Sequence, residues 1–241
     1  MNFLSYNNIK IPFDPGWKKI AIAVSGGADS ALLAYLICSN IVDQELHIIN
    51  HIRCWKTKPW QKYDALSVYN WLSKKFPKIQ FFRHVNFIPP EMEWGSVGPI
   101  WEDEYGKKVS GDNIESRAFS EYICHSYDID IYFNAVTRNP RNTNFTGMPT
   151  RNIEKTNDNH HLEIMEHLGR LVAHPFRFVE KNEIIRLYKQ LKLDELLNLT
   201  RSCEGTFCEL DYTNYKPEQY VPMCGECFWC KEREWALEQN K

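Results

Sequence analysis

The chain has 241 residues, 43% hydrophobic and 25% charged, which suits one α/β domain with a real core and a small appendage. Lys and Arg number 29 against 31 Asp and Glu, so the net charge of −2 creates no global field toward nucleic acid or an anionic membrane. No apolar run approaches the ~18 residues of a membrane helix, and the first eight residues lack the basic and apolar parts of a signal peptide. A cytoplasmic protein with no membrane partner is expected.

In chain order, the apolar run at 19–24 predicts a strand and 31–40 a helix. Residues 46–49 predict a second strand, and 59–75 a helix with Trp60, Tyr63, Ala65, Leu66, Tyr69 and Leu72 near helical spacing. A third strand is expected over 79–85. Residues 87–110, with Pro89-Pro90, Gly95, Gly98, Pro99 and Gly106, read as an inserted loop or lid. A helix over 113–127 and a strand over 129–136 follow. Residues 139–159 read mostly as loop and 180–197 as an amphipathic helix. Strands alternating with helices imply an α/β fold with a doubly wound parallel sheet. Residues 1–199 would form the sheet domain and 200–241 a small C-terminal zinc-binding appendage.

The first strand runs into Ser25-Gly26-Gly27-Ala28-Asp29-Ser30 and then a helix. A helix start offers unpaired N–H groups and the positive end of its dipole, which suits a phosphate. Gly26 and Gly27 permit positive φ and close approach of a ligand. Ser25 and Ser30 add hydroxyls, and Asp29 could serve a metal ion or a ligand hydroxyl. No Gly-Lys-Ser/Thr follows, so this is not a Walker A loop. Ligands of doubly wound sheets bind beyond the carboxyl ends of the strands, where this loop falls.

Five of the eight cysteines crowd the C-terminus. Cys224, Cys227 and Cys230 are spaced by two residues, and Cys203 lies upstream. Four thiolates close a tetrahedral structural zinc site. An iron–sulfur cluster and a redox CxxC are the alternatives, and Cys208 could replace Cys203. His160, His161 and His167 flank the amphipathic stretch 162–166. They are expected on a solvated helix face rather than in a second metal site. The eight tryptophans follow no stacking pattern and read as core and pocket walls.

The Ser-Gly-Gly-x-Asp-Ser run resembles the loop of PP-loop ATP pyrophosphatases, which cleave ATP between the α- and β-phosphates. Adding Ser202-Cys203, Cys224-Gly225-x-Cys227-x-x-Cys230 and Arg233, the chain resembles the 7-cyano-7-deazaguanine (preQ0) synthase family. The segments Asn144-Phe145-Thr146-Gly147-Met148-Pro149-Thr150-Arg151 and Pro175-Phe176-x-x-x-x-Lys181 resemble that family's in collinear order. Where the family has Asp-Tyr-Gly-Gln, this chain has Asn50-His51-Ile52-Arg53. Asn144 and Thr150 stand in place of its carboxylates.

The resemblance implies an ATP-dependent ligase that converts 7-carboxy-7-deazaguanine and ammonia to the nitrile through an acyl-adenylate and an amide. It implies ATP, Mg2+ and Zn2+ as cofactors, with no nucleic-acid partner, and it leaves a homodimer open. Ser25, Gly26, Gly27, Asp29 and Ser30 would hold the pyrophosphate, with Asp29, Ser30 and Lys181 catalytic. Phe145, Thr146 and Gly147 would line the base pocket. Arg138 would meet the carboxylate, whereas Arg117 is expected as a surface salt-bridge partner. Asp29→Ala is expected to abolish pyrophosphate release with the fold intact. Alternatives are an amide-stopping variant, a tRNA-modifying relative using Cys54 or Cys124, and a non-catalytic ATP-binding module.

Overall fold

The computed structural model describes residues 2–7, 9–53, 60–88, 101–102, 108–109, 111–149, 162–165, 169–204 and 222–241. Near the start, β1 (Asn2–Tyr6) and β2 (Ile9–Phe13) form an antiparallel pair that the sequence reading did not anticipate. Ile9 and Ile11 alternate with Lys10 and bury against the main core.

The central sheet is built from β3 (Lys19–Ala23), β4 (Glu45–Ile52), β5 (Gln80–Phe87), β8 (Ile131–Phe133), β9 (Leu162–Met165) and β10 (Arg170–Ala173). Their order is β5-β4-β3-β8-β10-β9; β9 pairs antiparallel to β10, and all other pairs are parallel. Ile20, Ala21 and Ile22 of β3 are all buried, as a central strand covered on both faces requires. One face packs α1 (Ala28–Cys38), α2 (Gln61–Lys75), α4 (Lys181–Gln190) and α5 (Asp194–Asn198). The other face packs α3 (Gly111–Ser126) through Ile123 and Cys124. Strand order reverses between β3 and β8, so the loop leaving β3 emerges at the topological switch point.

Three expectations are revised. The helix expected over 180–197 is two helices. Lys192, at φ 55, closes α4: its N–H reaches the Lys189 carbonyl and the Leu193 N–H reaches that of Tyr188. This is a left-handed C-terminal cap built without glycine. The stretch expected as a helix face around 162–166 is β9, whose register on β10 pairs Leu162 with Ala173 and Ile164 with Leu171. The fourth parallel strand shrinks to Ile131–Phe133: the Asn134 N–H makes the last bond of the ladder, to the Ala173 carbonyl, and the chain then leaves the sheet.

Within the expected insertion, Phe87 ends β5, Ile88 is buried, and β6 (Trp101–Glu102) pairs with β7 (Lys108–Val109); its other residues, and His160, His161, His167, Cys54 and Cys208, lie outside the described residues. Residues 139–149 are irregular as expected. α6 (Phe228–Glu238) lies against α4 and buries Ala236 in the main core. Among the described residues, no helix is long and apolar enough to cross a membrane.

Candidate functional site

Gly27 sits at the N-cap of α1, three residues earlier than the sequence suggested, so Asp29 and Ser30 fall in the first helical turn. Ser30 anchors the loop: its Oγ accepts the Ser25 N–H at 3.2 Å and donates to the Gly27 carbonyl at 3.2 Å. Ser25 Oγ in turn accepts the Gly27 N–H at 3.3 Å. Gly26 is required twice over. Its φ is 83°, and a Cβ there would lie 2.8 Å from the Ala65 nitrogen and 2.9 Å from Asp64 Cβ. Gly26→Ala is therefore expected to cost about 1–2 kcal/mol in backbone strain, plus the displacement of α2. Titration with a non-hydrolysable ATP analogue should show weakened binding; unchanged affinity and unfolding temperature would contradict this placement.

Lys181, at the start of α4, is buried and directs its ammonium onto both Asp29 oxygens, at 2.6 and 2.5 Å. Tyr188, two turns further along the same face of α4, donates to the Ala28 carbonyl at 2.8 Å. Helix α4 thus braces the first turn of α1 with a charge pair and a hydroxyl. This pairing makes a loss of stability the expected outcome of Asp29→Ala, in place of an intact fold. The Lys181 side chain is only 3% exposed, so removing its partner strands a buried ammonium.

Two cavities share the loop as a wall. The larger, about 470 Å³, opens over the carboxyl ends of β3, β4, β8 and β10. Beyond the loop it is lined by His51, Arg53, Arg117, Ser120, Tyr132 and His174, among others. His51 Nε2 and Ser120 Oγ lie 3.1 Å apart, and Ser120 reaches the Tyr132 hydroxyl at 3.4 Å. His51 Nδ1 and Ser116 Oγ are shielded from solvent without a hydrogen-bond partner among the described residues. The smaller cavity, about 140 Å³, runs from the loop past Asp29 and Lys181 to Asp64, Arg201 and Ser202.

The four cysteines converge. Sγ atoms of Cys203, Cys224, Cys227 and Cys230 all lie within 4.8 Å of one another. Gly225, at φ 73, makes the turn between the first pair, and Cys227 caps α6. Sulfurs of one tetrahedral ion with bonds of about 2.3 Å lie about 3.8 Å apart, and Cys224 and Cys230 are 3.8 Å apart. Backbone N–H groups of Glu204, Cys224 and Cys227 each point at a cluster sulfur, at 3.3 to 3.4 Å. Burial pushes the Cys224 thiol up, but N–H donors from Cys227 and Glu226 outweigh it and bring it down to about 7. Burial pushes the Cys230 thiol the other way, well up, so the fit to a metal ion rests on the spacing of the sulfurs and on the N–H donors. Trp60 closes the cluster on one side, and the Arg201 guanidinium stacks on that ring at 3.6 Å.

Of the residues expected at the site, Ser25, Gly27, Asp29 and Ser30 line the larger cavity, and Lys181 joins Ser25, Gly27 and Asp29 along the smaller. Arg138 lies elsewhere, 4.0 Å from the Glu180 carboxylate, whereas Arg117 is on the larger cavity's wall. The apolar ring of Phe145, half-buried, packs against Phe228 and Trp235 of α6, edge to face. Neither Phe145 nor Thr146 nor Gly147 is among the residues lining either cavity. Asn50 is a brace: it donates to the Val24 carbonyl and accepts from Arg83 Nε, both at 2.7 Å. Cys124 is fully buried, and desolvation raises its thiol to about 11, which does not suit a nucleophile. Sequence reasoning missed His51, Ser120, Asp64 and Arg201. None sits in a recurrent motif, and only the fold assembles them.

Burial lowers His47, His51 and His84, the last two to about 4. Desolvation moves half-buried Asp64 the other way, up to about 7. From about pH 6.5 down toward pH 4 the unfolded chain takes up three histidine protons, while the folded chain keeps one extra proton on Asp64. Three outweigh one, so the unfolding temperature should fall on acidification through this window. A flat or rising profile would contradict histidines held neutral by desolvation.

No family model and no curated protein matches the chain. Among solved structures it is similar to the U34-tRNA thiolase NcsA from Methanococcus maripaludis with its 4Fe-4S cluster, at TM-score 0.48 and 12% identity, covering 81% of this chain and 62% of that one. It is also similar to NMN synthetase from Francisella tularensis, at TM-score 0.44 and 13% identity, covering 93% of this chain and 86% of that one. The chain therefore spans under two thirds of the thiolase's length. Likenesses at these scores assign no activity to this chain, whose reading rests on its own residues.

Proposed function

We propose that the chain is an adenylating enzyme that cleaves ATP to AMP and pyrophosphate, and that its acceptor is the carboxylate of 7-carboxy-7-deazaguanine. The observation that carries the reading is the loop between Ser25 and Ser30. It stands at the switch point and starts a buried helix, with a buried Lys181 against its first turn and cavities on both sides. Such a loop presents N–H groups and a helix dipole to phosphates without a Walker lysine. The acceptor is taken from the resemblance of the loop and the cysteine cluster to the preQ0 synthase family, not from the residues that line the cavities.

In this reading the loop N–H groups, Ser25, Ser30 and Lys181 hold the β- and γ-phosphates, and the larger cavity holds nucleoside and acceptor. Arg117, on that cavity's wall, fits a two-pronged contact to the acceptor carboxylate better than Arg138, which lies by Glu180. A carboxylate oxygen attacks the α-phosphorus and pyrophosphate leaves. Ammonia displaces AMP from the acyl carbon to give the amide. The amide oxygen then attacks the α-phosphorus of a second ATP, pyrophosphate leaves, and loss of AMP and of both amide protons leaves the nitrile. The protein's contribution is positioning and stabilisation of phosphate charge. Mg2+ carried with ATP supplies further charge neutralisation. Zinc is the ion we assign to the cysteines, because their sulfurs sit closer than the arms of an iron–sulfur cube would hold them. With four sulfur ligands it has no open position, so its role is structural.

Incubation with Mg-ATP, ammonia and 7-carboxy-7-deazaguanine, followed by mass spectrometry of the base, tests the reading. Two AMP per nitrile formed is the expected result. Amide alone would remove the second activation, and absence of acceptor-dependent AMP would overturn the assignment.

A further inference from the structure

Two side chains on the wall of the smaller cavity each carry a polar atom that the fold leaves unsatisfied. Asp64 Oδ2, on α2, and Arg201 Nε are both shielded from solvent and lack a hydrogen-bond partner among the described residues. Both side chains line this cavity with Ser25, Asp29, Lys181 and Ser202. The loop is clamped between their elements: Gly26 packs on the Asp64–Ala65 backbone, and its carbonyl accepts the Arg201 N–H at 3.0 Å.

Two guanidinium charges lie near Asp64, yet the N–H groups they place go elsewhere. Arg201 Nη2 donates to the Pro222 carbonyl, and Arg233 donates to Thr200 Oγ1 and the Leu197 carbonyl. Burial accordingly outweighs the Arg201 and Arg233 charges and raises the Asp64 carboxyl to about 7. The other charged or titratable groups around the cavity are the Asp29–Lys181 pair, Cys203 and Glu204. After a small shift of the two side chains toward the cavity, a ligand that accepts from both groups would satisfy the orphaned N–H and the orphaned carboxyl. A phosphate oxygen does so when the carboxyl carries its proton, and a carboxylate would repel it.

Building on the adenylation reading, we propose that Asp64 is a proton donor to the departing pyrophosphate, with Arg201 Nε donating to the same group. The acceptor oxygen forms its bond to the α-phosphorus as the bond from that phosphorus to the bridging oxygen breaks. The electron pair leaves with pyrophosphate, and the Asp64 proton passes to a pyrophosphate oxygen. The resulting carboxylate repels the product, which speeds its release, and water reprotonates the empty site.

Calorimetric titration of the full chain with inorganic pyrophosphate at about pH 7.5, in two buffers of different ionisation heat, counts the protons taken up on binding. Wild type should take up more than Asp64→Asn, by up to one proton. Asn keeps the shape of the protonated acid, so the variant should still bind pyrophosphate. In turnover, the wild-type rate should fall as pH rises above about 7, and Asp64→Asn should be slower, without that fall. Equal proton uptake by the two proteins overturns the role of Asp64 and leaves adenylation standing. Wild type that binds pyrophosphate with no proton uptake beyond the ligand's own titration overturns it without reference to the variant. No pyrophosphate binding together with no acceptor-dependent AMP overturns both readings.

Discussion

Lys181→Met should lower acceptor-dependent AMP formation by about 10²- to 10³-fold, the usual consequence of removing one preorganised donor from a developing anion. The lysine is buried at the start of α4 and its ammonium sits on Asp29, in the wall of the smaller cavity. Entering phosphate competes with Asp29 for that ammonium, so the charge is already desolvated and in place. Methionine fills the same volume, and the Asp29 side chain, 21% exposed, keeps access to water. Stability should therefore change little. Asp29→Ala is the opposite case. It leaves an unpaired ammonium inside, at a cost of about 3–5 kcal/mol, or roughly 6–20 °C in unfolding temperature for a chain of this size. Measuring both variants by thermal unfolding and AMP release separates the two roles. Equal stability losses would contradict the asymmetry in burial, and full activity of Lys181→Met would remove the lysine from the site.

The second large effect is expected from Cys227→Ser. Structural zinc sites bind with apparent free energies of about 10–16 kcal/mol in small peptides, and that energy is folding energy. Here the cluster also supports the loop. Cys203 is two residues from Arg201, whose N–H holds the Gly26 carbonyl, and Trp60 packs between the cysteines and the Arg201 side chain. The variant should bind far less than one metal ion per chain and unfold at lower temperature. It should also bind ATP analogues more weakly, though the substitution is remote from the phosphates. Metal analysis on the purified chain decides the ion: zinc at one per chain is expected, and iron with sulfide would favour a cluster. A metal-free variant as stable as wild type would contradict a structural ion.

The loop and the cysteine cluster were legible in sequence because their chemistry depends on residues close in the chain. A sharp strand-to-helix turn needs glycine at Gly26, and a metal turn needs thiols spaced by two. The parallel sheet was legible because its central strands are continuous apolar runs, as in Ile20-Ala21-Ile22. What could not be read depends on distant packing. Leu162-Glu163-Ile164-Met165 is too short for its period to distinguish helix from strand, and β10 decides the matter. The break after α4 carries no glycine signal, since Lys192 occupies the left-handed position. Arg138 and Arg117 look alike in sequence, and Glu180, 42 residues on, marks the place of the first. Phe145 was expected as a pocket wall, but an apolar ring packs where Phe228 and Trp235 already offer apolar surface. Asp64 reads as an ordinary first-turn carboxylate until Gly26 and Arg201 are seen around it.

Transfer of an oxygen label tests adenylation most directly. With 7-carboxy-7-deazaguanine carrying 18O in its carboxylate, attack on the α-phosphorus forces each departing carboxylate oxygen to leave on AMP. Mass spectrometry should find one 18O in AMP from each activation, with pyrophosphate unlabelled. AMP containing only solvent oxygen, or release of ADP and phosphate, would contradict the acyl-adenylate and with it the role given to the loop.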